Sequence, residues 1–263
     1  MTKYKTHGFN NSMQKIVTAI LFLSLVFVFS CSGKSTAKPN AAFDAEQTFA
    51  RANELMDKKS YEEARTALTE IKSRDLTKKY APLAHLRIAD SYIKEEEPER
   101  AIEEHRKFLE IYPDHKYSYY AQFQISMAYF NQIEDSERGY GAASRALEEF
   151  EKLKKMFPRN PYKDIVDIRI EKCKDIIAEY EFLVGVFYFK KDSYDAAIKR
   201  FEGLLQRFPG FKKEADVLYN LALSYKKSGE NERAFEYFSL LFKKYPNSNL
   251  IPEATKALST IKK

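Results

Sequence analysis

The chain has no tryptophan, and only eight glycines, nine prolines, four histidines and two cysteines in 263 residues. So few glycines leave little material for tight turns and bulges, which argues against a loop-rich or all-β protein. Two cysteines do not make a disulfide framework. Cys173 lies inside a helical run, 168–177, and reads as a small half-buried residue, while Cys31 ends an apolar segment. His7, His85, His105 and His115 show no metal-ligand spacing, and the last three read as polar helix or turn residues. No Ser-His-Asp elbow, glycine-rich loop or paired-cysteine motif is present. Glu95-Glu96-Glu97 reads as a solvated turn and not as an acid–base pair. The expectation is therefore no enzyme, no cofactor and no metal.

Charge of one sign is also scarce. The formal charge is +6, but Lys3, Lys5 and Lys15 sit ahead of the apolar segment with no acid among them. Without them the balance is 41 bases to 38 acids, too diluted for a nucleic-acid stripe. Residues 181–263 hold 15 bases and 10 acids, whereas residues 45–113 hold 13 and 15. That asymmetry implies different partners at the two ends.

A long hydrophobic run is missing as well. The apolar stretch 16–29 is fourteen residues, too short for a comfortable membrane span and suited to a secretory signal. It closes in Val28-Phe29-Ser30-Cys31, the order of a lipobox. This predicts a signal peptide over 1–30, a Cys31 that becomes lipidated, and a flexible tether over 31–43 rich in Ser, Lys, Pro and Asn. Each buried CH₂ of an acyl chain contributes ~0.8 kcal/mol, so a multiply acylated cysteine anchors stably. Ser32, in place of Asp, follows the cysteine. By analogy with enteric bacteria this predicts the periplasmic face of the outer membrane.

What the chain does have is a repeat. Gly185 and Ala197 stand twelve apart, with Tyr188 and Phe201 beside them and Pro209 behind. The same spacing recurs at Ala52/Ala64, Ala89/Ala101 and Ala222/Ala234, and Pro113, Pro158 and Pro246 close further units. In the third unit Ser126 and Ala146 are twenty apart, which places an eight-residue insertion, read as a mobile loop, at 133–141. This is the tetratricopeptide spacing, in which small residues mark the close crossing of two antiparallel helices and aromatics fill the space beside it. It predicts an all-α solenoid over 44–263 of about five helical hairpins (45–76, 82–113, 118–158, 177–209 and 215–246) with a cap at 250–262. The stretch 162–188 has no proline or turn cluster, so it reads as one long helix, with a break near Glu179 as the alternative.

The first helix of each such pair lines the concave side. Counting at helical spacing from the small residues selects Phe49, Asn53 and Met56, then Leu86, Asp90 and Ile93, then Tyr120, Phe123, Met127 and Phe130. An apolar groove with a few amides and carboxylates suits an extended peptide.

With these residues in hand, the chain resembles the BamD family of outer-membrane β-barrel assembly lipoproteins. The resemblance rests on Cys31-Ser32-Gly33, the tether, the insertion in the third repeat, the lengthened helix, Asn160-Pro161-Tyr162, Ala178-Glu179-Tyr180-Glu181, and above all the run from Lys199-Arg200-Phe201 to Arg207-Phe208-Pro209. Where the family has an aromatic-Pro turn after the first repeat, Asp75-Leu76 stands here. The resemblance implies a scaffold that binds a BamA-like barrel protein, other subunits of the assembly machine, and unfolded outer-membrane proteins. Arg200 matches the family arginine at the BamA contact, and it is expected to point outward, so that its reversal to Glu would spare the fold. The remaining alternatives are another tetratricopeptide lipoprotein of the outer membrane, such as a pilotin for a type IV pilus secretin, or a regulator of cell-wall enzymes.

Cys31→Ala is expected to leave unprocessed precursor or a soluble periplasmic product. Mass spectrometry of the mature chain checks it, and a free, unacylated N-terminus beyond residue 31 would rule lipidation out.

Overall fold

A computed structural model describes residues 43–135 and 138–261. Cys31 and the segments expected to be signal and tether lie outside those residues. Among the described residues there are eleven α-helices and no strand. They are α1 (Ala45–Asp57), α2 (Tyr61–Arg74), α3 (Ala81–Lys94), α4 (Pro98–Ile111), α5 (Ser118–Asn131), α6 (Tyr140–Met156), α7 (Lys163–Lys190), α8 (Tyr194–Arg207), α9 (Glu214–Ser228), α10 (Asn231–Lys244) and α11 (Ile251–Ser259). Each packs chiefly on its predecessor and successor in the chain, which makes the molecule an all-α solenoid of tetratricopeptide type. No helix among the described residues is long and apolar enough to cross a membrane.

The repeat spacing translates directly into backbone geometry. Lys59, Glu96, Asp192 and Gly229 each stand seven residues after the first small residue of their pair, and all four have positive φ, between 57° and 90°. They make the left-handed turn that reverses one helix into the next. Only Gly229 does so without a Cβ penalty. The far ends repeat equally closely. Tyr112, Phe157, Phe208 and Tyr245 follow α4, α6, α8 and α10 with φ near −130° and ψ of 55–65°. Each precedes a proline, which bars it from helical ψ. After α2 there is no proline. Asp75 stands there instead, 9% exposed, and its carboxylate accepts from the amides of Thr77, Tyr80 and Ala81 at 3.1, 2.6 and 3.0 Å. A side chain thereby caps α3 where a proline turn would otherwise set the chain direction. Pro98, by contrast, begins α4 and is not part of the turn.

The small residues Ala52, Ala64, Ala89, Ala101, Ser126, Ala146, Ala197, Ala222 and Ala234 are fully buried. Four residues after the second of each pair stand Leu68, His105, Phe150, Phe201 and Phe238, also fully buried. The reason for the small residue is plainest at Gly185, where an added Cβ would lie 2.5 Å from Cε1 of Phe201.

Helix α7 is 28 residues long and runs without a break through Glu179. The connection between α5 and α6 is longer than the other hairpin turns, but Tyr140 and Gly141 already belong to α6. Helix α11 covers the far end, setting Ala254 against Leu218, Ala222, Phe238 and Leu241.

Gly185→Ala is expected to destabilise by about 1–3 kcal/mol, because the Phe201 ring is boxed in and must shift. At about 2–4 °C per kcal/mol for a domain of this size, thermal unfolding reads it out. Adding Phe201→Leu is expected to recover part of the loss, and a neutral Gly185→Ala would contradict the close crossing.

Candidate functional site

The predicted groove residues divide by packing. Phe49, Asn53 and Met56 of α1 are half-buried, the Phe49 ring lies 5.6 Å from that of Tyr80, and Oδ1 of Asn53 is buried with no hydrogen-bond partner. Leu86 does not line a groove. It is 5% exposed and packs with Phe108 and Ala121 in the core. Asp90 and Tyr120, selected from neighbouring repeats, meet: the Tyr120 hydroxyl donates to Oδ1 of Asp90 at 2.7 Å. Burial pushes the Asp90 carboxyl above its ordinary range and the Tyr120 hydroxyl up as well. Phe123 stacks on Tyr162 at 4.1 Å and Phe130 meets Phe150 edge-on at 6.1 Å, so these two rings turn toward the core between α5, α6 and α7.

The open stripe of α5 therefore shares Met127 with the predicted one, while its other members fall one position later. Gln124, Met127, Ala128 and Asn131 face a cavity of about 330 Å³, with Ile93 and Pro98 opposite. Their spacing of three, four and seven is one helix face. Helix α5, SYYAQFQISMAYFN, is apolar nearly all round, so hydrophobic period cannot choose its face. The amides Gln124 and Asn131 were the available signal.

Two histidines read as polar helix or turn residues are in fact core. His85 is 1% exposed and His105 is fully buried, and neither ring has a hydrogen-bonded nitrogen. His105 occupies the place that Leu or Phe holds in the other repeats. Burial pushes His105 down to about 3 and His85 down to about 4. The groups around them come from α2, α3, α4 and α5. Lys72 and Lys107 oppose a charge on His85, Glu104 stands 3.2 Å from its Nε2, and Asp90 stands 4.0 Å from Nε2 of His105 with the Tyr120 ring beside it.

Arg200 is 45% exposed, but its guanidinium is engaged within the chain. Nη1 donates to Oε2 of Glu181 at 3.0 Å, and Nη2 of Arg207 holds Oε1 of the same carboxylate at 2.9 Å. The Glu181 side chain is only 3% exposed. A buried carboxylate needs such partners, and removing one is costly. Arg200→Glu would place a like charge against it, so the reversal acts on the fold and not on docking alone. No periodic pattern marks this pairing, because Glu181 lies nineteen residues away on the other helix of the pair.

Among the described residues no group of His, Cys, Asp and Glu is arranged to hold a metal ion. Cys173 is a buried free thiol, pushed up to about 11 by burial.

The YfiO model, an outer membrane lipoprotein family, matches residues 41–234. The outer membrane protein assembly factor BamD of Rickettsia prowazekii is 27% identical over 236 residues, covering 90% of this chain and 93% of the relative. The factor of the same name from Neisseria gonorrhoeae is 25% identical over 257 residues, covering 92% and 95%. Among solved structures, the TPR2AB domain of yeast Sti1 in its pHSP90 complex aligns at a TM-score of 0.45 with 19% identity over 82% of each chain. The fold assignment rests on the helix pairs above and not on that likeness.

The buried histidines have a pH consequence. Their folded values lie below the unfolded 6.5, so the unfolded chain binds more protons, and the stability they allow is whole above pH 6.5 and falls as pH drops toward 4 and 3. Asp90, raised by burial, works in the opposite sense, while Glu104, held low chiefly by Lys107 against its burial, adds to the acid loss only nearer its own range. His105→Phe restores the repeat's ring and removes two unmet polar atoms. It is expected to flatten the fall of the unfolding temperature between pH 7 and 4.5. Parallel curves for the two proteins would show that His105 takes up no extra proton on unfolding.

Proposed function

The chain belongs to the YfiO family of outer membrane lipoproteins, and from that footing we propose that it is a lipid-anchored scaffold of the β-barrel assembly machinery. It holds a BamA-like barrel protein and unfolded outer-membrane proteins together while the latter are inserted. The observation that carries this reading is the match to BamD assembly factors along nearly the whole of both chains. Tetratricopeptide spacing alone is shared by many binding modules and would not distinguish them. In this reading Cys31 carries the lipid and sets the protein on the periplasmic face of the outer membrane.

The two halves divide the work. The cavity of about 330 Å³ beside Ile93 and Met127 has room for one bulky apolar side chain of an extended client, such as one near the C-terminal end of a nascent barrel protein. Gln124 and Asn131 can meet the client's free backbone groups, as an unsatisfied strand requires. Phe49, Asn53 and Met56, half-buried on α1, are the first repeat's proposed share of the client surface. The C-terminal half, with its excess of five positive charges, suits an acidic docking surface on the barrel protein. Arg200 keeps one side in solvent while Glu181 fixes the other, so its fork is pre-oriented for a partner carboxylate.

Photo-crosslinking groups at Asn53 and Met127 in living cells are expected to capture the C-terminal segment of a nascent barrel protein. The same group at Leu86, inside the core, serves as the silent control. Capture of folded proteins alone, or none from Asn53 and Met127 while the chain still co-purifies with a barrel protein, would overturn this groove as the client site.

A further inference from the structure

The first three helix pairs give the solenoid two long edges. One carries the turns within the pairs. The other carries the ends of α2, α4 and α6 and the starts of α1, α3, α5 and α7. Ring contacts run along this second edge, Phe49 with Tyr80 at 5.6 Å, His85 with Tyr112 at 6.3 Å and Tyr119 with Tyr162 at 5.8 Å. The chain enters the fold at the same edge, where Nζ of Lys79 stands 3.8 Å from Oε2 of Glu46 in the first turn of α1.

The two edges differ in chemistry. On the entry edge, residues 44–48, 71–84, 108–121 and 153–166 hold nine bases and six acids. On the other, residues 54–64, 91–101, 128–135 and 138–143 hold five bases and ten acids. Helix dipoles do not account for this. Both edges collect helix starts and helix ends, and the entry edge has one more start, which favours acids. Two of its acids are spent inside the fold. Asp44 caps α1, and the Asp75 carboxylate holds the α2–α3 connection. Arg74 pairs with Glu70 and Lys154 with Asp167, while Lys78, Lys116, Lys155, Arg159 and Lys163 have no ion pair among the described residues. Glu110 and Asp114 flank the middle of the edge, so the basic character lies at its two ends.

Apolar exposure follows the same division. Four large apolar side chains between residues 43 and 166 are exposed, Leu76 at 93%, Ile111 at 58%, Met156 at 49% and Ile165 at 40%, and all four stand on the entry edge. Leu76 is held out and does not fold back. Asp75 before it accepts from Thr77, Tyr80 and Ala81, and Lys78 after it takes a φ of 55°. Apolar side chains interleaved with lysine and arginine suit the boundary between acyl chains and anionic headgroups.

We propose that this edge rests on the membrane, with Leu76 and Met156 entering the headgroup layer and the lysines and arginines beside them meeting anionic lipid. The proposal rests on the anchored reading above, in which Cys31 carries the lipid. Thirteen residues separate Cys31 from Asp44, a reach of at most about 45 Å whatever their course. The opposite edge lies a further helix length away, about 20 Å for fourteen residues. The lipid then supplies attachment and the edge supplies orientation, and the client groove is held at a set height above the bilayer.

The test uses the full chain reconstituted into vesicles, with an NBD fluorophore on Leu76→Cys, on Met156→Cys or, at the opposite edge, on Lys58→Cys. Cys173 is buried and stays unlabelled. In vesicles containing about one-third phosphatidylglycerol, emission from 76 and 156 is expected to shift to the blue by on the order of 10 nm, and emission from 58 to stay as in water. Lys155→Glu with Arg159→Glu, or pure phosphatidylcholine vesicles, is expected to cut the shift at 156 by at least half. Mass spectrometry of the same sample reads the lipid on Cys31. A lipidated chain that floats with vesicles while all three labels stay in water, or shift equally, would overturn the proposal and leave the anchor standing. A chain without lipid that floats with anionic vesicles alone would keep the edge and overturn the anchor. A chain that floats with neither overturns both. A shift at 76 that requires an added protein and no lipid would assign the edge to that partner and overturn the membrane contact.

Discussion

Helix α7 is shared by two hydrophobic cores. Val166, Ile170 and Cys173 pack with Phe150 and Leu153 of α6, and Ala178 packs with Ala197, Phe201 and Val217 of α8 and α9. A regular repeat would end after α6 and begin again with its own short helix. Here one rod of 28 residues serves as the end of one stack and the start of the next. An unbroken helix transmits orientation without a hinge, so the groove-bearing repeats and the basic C-terminal repeats are held in one fixed relation. The same economy leaves Ile165 and Ile168 in its first half exposed.

Polar seams reinforce the helix contacts. Glu149 of α6 accepts from Arg106 of α4 at 2.8 Å and from Gln122 of α5 at 2.7 Å. Glu179 of α7 is held by Lys213, and Glu214 of α9 by Lys244 and Tyr245. Burying a carboxylate costs more than such pairs return in many settings, so their value lies in register. A repeat shifted by one turn would leave each acid unpaired in a dry site. Small residues permit close packing at several registers, and the acids admit one.

Much of this fold was legible because tetratricopeptide packing repeats. Spacing of twelve between small residues, an aromatic four later and a proline at the end correspond to one backbone course traversed again and again. Periodicity fails where a helix is apolar all round, as α5 is, and there only Met127 of the predicted groove stripe lines the cavity. It also fails where one residue type is substituted for another of similar size. His105 reads as polar until its register is compared with Phe150, Phe201 and Phe238. Leu86 was chosen by the same counting and proved to be core, because it turns toward the second helix of its own pair and the helix that follows, against Phe108 and Ala121. Pairings across helices, such as Glu181 with Arg200, leave no periodic trace.

The docking role proposed for Arg200 does not compete with its structural one. A free arginine samples many rotamers, and ordering it on binding costs entropy. Here Glu181 has already fixed the guanidinium from beneath, with Arg207 completing the carboxylate's shell. The edge that remains exposed is held in place before any partner arrives, which lowers the cost of meeting an acidic group. The arrangement also limits replacement. Lysine would keep the charge but lose the planar fork, whose second edge is free while the first holds Glu181, and a neutral side chain would leave Glu181 with Arg207 alone. An arginine built on a buried acid is therefore held by the fold before any partner meets it.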